Sequence, residues 1–133
     1  EGEARRRRIR EPHAWILGLP LTEAEAGASP LVAWEGSHQI MRTALRAALA
    51  GHPPETWGEV DITDAYQVAR RTCFETCRRV ELPAAPGEAL LLHRLTLHGI
   101  APWAEGAKAP PEGRMVAYFR PQIAGGAAAW LAG

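Results

Sequence analysis

Apolar residues in this chain recur with a helical period in the middle and an alternating one towards each end. The run HAWILGL, His13 to Leu19, is mostly apolar and stops at Pro20, as a short strand does. A turn-rich segment, TEAEAGASP, separates it from a second short strand, Leu31 to Trp34, which EGSH closes. In QIMRTALRAALAG the residues Ile40, Leu45 and Leu49 fall near one helical face, and Gly51 supplies the stop. HPPETWGEVD reads as a loop. Thr63 and Asp64 then open a second helix reaching about Arg78, whose stripe of Tyr66, Ala69, Cys73 and Cys77 reads as core.

Beyond Arg78 the period shortens. RVEL is a strand before Pro83, PG turns the chain, and a longer strand is expected from Glu88 to about Thr96. APWAEGAKAPPEG is a loop, and RMVAYFRP is the last strand, with Arg114, Val116 and Tyr118 sharing a face. The tail from Gln122 to Gly133 is low in complexity and expected to fray, with Trp130 free to dock on a neighbour. The elements therefore predict a mainly β fold with helical insertions: about five strands, short of the roughly eight that close a jelly roll. Such a sheet leaves edges to be covered, so a homodimer stays open as a partner class.

Length and charge narrow the classes of function. The 133 residues suit one domain, and 15 basic residues balance 15 acidic ones, so no global charge favours nucleic acid or an anionic membrane. The local exception, EARRRRIRE, reads as a solvated loop or else as an arm for a phosphate- or carboxylate-bearing substrate. A basic start before an apolar run imitates a secretory signal, but Gly18 and Pro20 interrupt that run, and no segment is long enough to span a bilayer. Cys73 and Cys77 are too few for a disulfide framework and read as reduced thiols of a cytoplasmic protein. A cysteine-dependent redox role rests on those two residues alone.

Chemistry concentrates in LLLHRLTLHG, which carries two of the five histidines, His93 and His98. Imidazole titrates near neutral pH and is the commonest metal ligand. On a regular strand these two rings would face opposite sides. Three segments in order, HAWILGLPLTEAEAGASPLVAWEGSH, PGEALLLHRLTLHG and GRMVAYFRP, resemble the phytanoyl-CoA dioxygenase family of iron(II)- and 2-oxoglutarate-dependent oxygenases. The resemblance runs from about His13 to Pro121. It implies a double-stranded β-helix, a form of jelly roll, lacking its N-terminal strands here. It implies that His98 is the distal iron ligand and that Arg114 grips the 2-oxoglutarate carboxylate, with Arg120 as the rival arginine. O₂ and a small organic substrate complete the expected reactants, with no nucleic acid and no membrane as partners. The family's His-x-Asp pair has no counterpart among HAW, HQI, HPP, HRL and HGI, so the other two iron ligands are expected upstream of Glu1. His93 is expected in the core or behind the ligands, His38 to shape the structure, and His13 and His52 have no supporting partner. The competing function is a noncatalytic jelly-roll or cupin-like binding module.

Overall fold

The computed structural model describes residues 5 to 132. Six strands, β1 (Trp15–Pro20), β2 (Leu31–Trp34), β3 (Arg79–Leu82), β4 (Leu90–His93), β5 (His98–Ile100) and β6 (Val116–Phe119), are joined by the helices α1 (Ser37–Leu49), α2 (Thr63–Thr76) and α3 (Gly126–Trp130). A 3-10 turn, Pro54–Glu59, lies in the loop between α1 and α2. Helical residues outnumber strand residues, so the expectation of a mainly β chain is corrected to a mixed α/β one. No helix among the described residues is long and apolar enough to cross a membrane.

The strands form two antiparallel sheets of three, ordered β4-β1-β6 and β3-β2-β5. From β3 onward every connection passes from one sheet to the other, so the chain winds between them. Side chains at paired positions share a face of a sheet, which fixes what points inward. In the first sheet Ile16 pairs with Leu92, and Gly18 with Leu90 and Tyr118. In the second, Leu31 pairs with Leu82, and Ala33 with Val80 and His98. Ile16, Leu31, Ala33 and Leu92 pack together as a small core that joins the sheets, with Leu82, Leu90 and Tyr118 against it.

The outer faces differ. Val32 is 2% exposed, and Trp34 packs against the helical core, its ring 4.8 Å from Phe74 of α2. The outer face of the first sheet presents Trp15, Leu91 and Phe119, which are 46%, 69% and 50% exposed. Leu17, paired with both Leu91 and Phe119, lies between them.

A second and larger core sits among the helices. Met41, Leu45 and Leu49 of α1 meet Ala69 and Cys73 of α2, joined by Ile9, Ile62, Leu95, Leu97 and Leu131. Leu131 has no exposure at all, so the tail expected to fray is a docked element. Its carbonyls hold it there: Arg94 Nε donates to Trp130 O at 2.9 Å and Arg46 Nη1 to Leu131 O at 3.5 Å.

The strand expected from Glu88 to about Thr96 is shorter, Leu90–His93: a turn at Arg94 and Leu95 ends it, and the next strand, β5, begins at His98 in the other sheet. His93 makes the break. Its Nδ1 accepts the Leu95 N–H at 3.0 Å, and its carbonyl accepts the Thr96 N–H at 3.0 Å. His98 therefore opens a new strand instead of ending the old one.

Candidate functional site

His98 stands on the inner side of the second sheet, half-buried, in register with Ala33. Its strand is anchored from behind. Ser37, fully buried at the start of α1, accepts the Leu97 N–H on Oγ at 2.8 Å, and the Leu97 carbonyl accepts the Trp34 N–H at 3.0 Å. The His98 ring is oriented by one contact, Nδ1 to the Thr96 carbonyl at 2.9 Å. A carbonyl only accepts, so Nδ1 carries the proton and the neutral ring keeps its lone pair on Nε2. That is the tautomer a metal-binding histidine needs, with the second nitrogen held by backbone.

Arg114 lies just before β6 and lines a small cavity together with Pro20, Thr22, Pro30, Leu82, Val116 and one carboxylate residue, Glu25, whose Oε2 accepts the Lys108 N–H. The cavity measures about 30 Å³, enough for one or two waters and too small for a dicarboxylic acid as it stands. Among the described residues no carboxylate lies within ion-pair distance of Arg114. Arg120 is exposed, with its guanidinium 5.7 Å above the Tyr118 ring, and does not line this cavity.

Tyr118 shares the inner face with Val116. Gly18 makes room for its ring: a Cβ there would sit 3.0 Å from Tyr118 Cε1. The Tyr118 hydroxyl is buried and has no hydrogen-bond partner among the described residues. Tyr118 does not itself line the Arg114 cavity, but it lies on the same inner face as Leu90, which does, and an unpaired buried hydroxyl is a group that an acceptor could satisfy.

A second cluster is not legible in the sequence. His93, at the end of β4, meets α1, where the His38 ring lies 4.9 Å from it, and Arg42 Nη2 lies 3.2 Å from His93 Nε2. Because His93 Nδ1 accepts from Leu95, the ring proton belongs on Nε2, which then faces the Arg42 donor. Two donors meet without an acceptor, and Arg42 Nε is also buried and unpartnered. Burial, then the neighbouring His38, Arg94 and Arg42, hold the His93 pKa below the ordinary histidine value. The signal that could have placed His38 and Arg42 together is their spacing of one helical turn on α1. Nothing local joins them to His93.

The remaining candidates separate. His13 takes part in an isolated bridge to Gln122, and its Nδ1 is buried without a partner. Both cysteines are free, and burial pushes the Cys73 thiol up to about 11, which keeps it protonated at neutral pH and disfavours a nucleophilic role. Among the described residues no group of three or more His, Cys, Asp or Glu side chains is placed to hold a metal ion.

No family model, no curated protein and no solved structure matches this chain.

Proposed function

We propose that the chain carries the cosubstrate half of an iron(II)- and 2-oxoglutarate-dependent oxygenase of the phytanoyl-CoA dioxygenase type, acting on a small organic substrate. The inner face of the last strand carries the reading. Arg114 lines the inter-sheet cavity without a carboxylate partner, and Tyr118, on the same face, holds a buried hydroxyl with nothing to bond among the described residues. A guanidinium fork and a phenol hydroxyl are a fitting pair for a carboxylate. The winding of six strands between two sheets also supports it, since one further strand on β6 and one on β5 would bring the total to the eight of a jelly roll.

The metal fits in part. His98 offers a single nitrogen in the right tautomer, and an iron site of this kind uses two imidazoles and a carboxylate on one octahedral face. The described residues do not assemble that set. When bound, iron would supply the oxygen activation. The chain's own residues would hold the cosubstrate and one side of the metal.

The test is 2-oxoglutarate binding to the chain by isothermal titration, with and without Fe(II). Arg114→Lys keeps the charge and loses the bidentate fork, which should weaken binding about ten- to a hundredfold. Arg120→Lys should leave it unchanged. The reverse pattern would move the role to Arg120. Binding that neither Fe(II) nor His98→Ala alters would mark the cavity as that of a metal-free binding module.

A further inference from the structure

The arginine run is not a loose solvated loop. Its backbone is fastened to the start of α2: the Arg7 N–H donates to Thr63 Oγ1 at 2.7 Å, and the Arg7 carbonyl accepts the Ile62 N–H at 2.9 Å. Arg8 Nε donates to the Glu59 carbonyl at 3.2 Å, and Ile9 is buried in the helical core. An extended segment is thus held along α2 with its cationic side chains outward. Arg5, Arg6, Arg7, Arg8, Arg10 and Arg70 line one open groove of about 380 Å³.

Few carboxylates answer this charge. Arg6 lies 3.5 Å from Asp61, and no other arginine of the groove has an acidic partner within ion-pair distance among the described residues. Asp61 is shared with α2: its Oδ1 accepts from the Thr63 hydroxyl at 2.6 Å and the Thr63 N–H at 2.9 Å, and its Oδ2 faces Arg6. Arg7 is ordered further by lying 3.9 Å over the Tyr66 ring, which immobilises the guanidinium and leaves its N–H edge available. Ordering several like charges along one wall costs free energy by mutual repulsion, and a multivalent anion in the groove would offset that cost.

We propose that this groove binds a small soluble ligand bearing adjacent phosphates, a diphosphate. The chemistry selects it. Guanidinium forks match phosphate oxygens in bidentate pairs, and a row of them calls for more than one charged centre. The volume falls in the range of small-molecule pockets. With a formal net charge of zero the chain as a whole offers no long-range attraction to a nucleic-acid backbone or a membrane. This site is independent of the oxygenase reading, because binding here involves neither His98 nor Arg114.

The experiment is calorimetric titration of the full chain with ADP, inorganic pyrophosphate and orthophosphate at low salt. ADP and pyrophosphate should bind saturably with one site, orthophosphate at least about tenfold more weakly, and raised salt should weaken all three. Arg7→Gln with Arg70→Gln should weaken pyrophosphate about a hundredfold, about tenfold for each charge-assisted hydrogen-bonded pair removed. Arg5→Gln with Arg10→Gln is a second variant that leaves intact every hydrogen bond pinning the run, so it reads the charge of the groove even if the first variant misfolds. Arg79→Gln, at an exposed arginine outside the groove, should change nothing. Pyrophosphate affinity that survives both double variants, or an absence of saturable binding at millimolar ligand, would overturn the proposal. So would binding confined to vesicles of anionic phospholipid.

Discussion

The helical core and the inter-sheet core are built from similar residues and packed to different ends. The first joins ten buried residues, among them Leu45, Leu49, Cys73 and Leu131, and the Ser37 hydroxyl beside it takes the N–H of Leu97, the residue before β5. The second joins only Ile16, Leu31, Ala33 and Leu92, and the space between the sheets holds a small cavity, an arginine and an unpaired phenol hydroxyl. Apolar burial stabilises in proportion to the area removed from water, so the helices hold most of the stability. Between the sheets the Tyr118 hydroxyl stays unsatisfied, as Arg42 Nε does on α1, and an unsatisfied group is where a ligand has something to gain. The helices also act at a distance on the site, because Ser37 fixes the start of the strand that carries His98.

The largest expected effect tests that division directly. Leu45→Ala, at a residue 1% exposed in the middle of the helical core, should cost about 2–5 kcal/mol in urea denaturation. Leu92→Ala, at a residue 7% exposed in a smaller cluster, should cost clearly less, since fewer buried neighbours surround it. Equal costs would erase the distinction between the two cores.

Ser37→Ala comes next. It removes the acceptor of the Leu97 N–H in a fully buried place, and a stranded donor costs about 1–3 kcal/mol. The informative readout is the His98 ring signal in NMR. If Ser37 positions β5, that signal shifts in the alanine variant and stays put in Leu45→Val, a milder change elsewhere in the same core.

A smaller effect concerns pH. The His93 pKa is held below its ordinary value, so the unfolded chain binds its proton more readily than the folded one. The stability associated with neutral His93 is therefore fully present above the unfolded value near 6.5 and is lost as pH falls from there through the lowered folded value. Thermal midpoints measured between about pH 7.5 and 5 should decline, and His93→Gln should flatten that decline. An unchanged slope in the variant would assign the pH dependence to other groups.

How much of the fold is legible in the sequence depends on whether the cause is local. The stripes of α1 and α2 and the strands around Ile16, Val32 and Val80 follow from apolar periodicity and Pro or Gly stops, and the structure has them. The division of Leu90 to Ile100 into two strands is not legible, because no Pro or Gly marks it; a histidine ring nitrogen takes the Leu95 N–H and turns the chain. The tail departs from expectation for a related reason. Its Gly- and Ala-rich sequence has little to bury of its own, and α3 depends on Leu131 docking and on Arg46 and Arg94 reaching its carbonyls. Strand alternation alone places Arg114 and Tyr118 on one face. That the Tyr118 hydroxyl lacks a partner is a tertiary fact, set by what Gly18 and the facing sheet leave around it.

The smallest effect on stability bears most sharply on the inter-sheet region. Tyr118→Phe deletes a buried hydroxyl that makes no hydrogen bond among the described residues, while keeping the ring packed against Gly18. Burying a polar group without a partner costs free energy, so its removal should leave stability unchanged or raise it by about 1 kcal/mol. A hydroxyl kept only for structure would show the opposite sign. If the same hydroxyl receives a ligand carboxylate beside Arg114, the variant should lose about tenfold in 2-oxoglutarate affinity, the worth of one hydrogen bond to a charged acceptor. Denaturation and calorimetry on one variant thus pull in opposite directions only if the space between the sheets is a binding site. A variant that gains stability and binds 2-oxoglutarate as the parent does would leave Arg114 without its neighbour in that role.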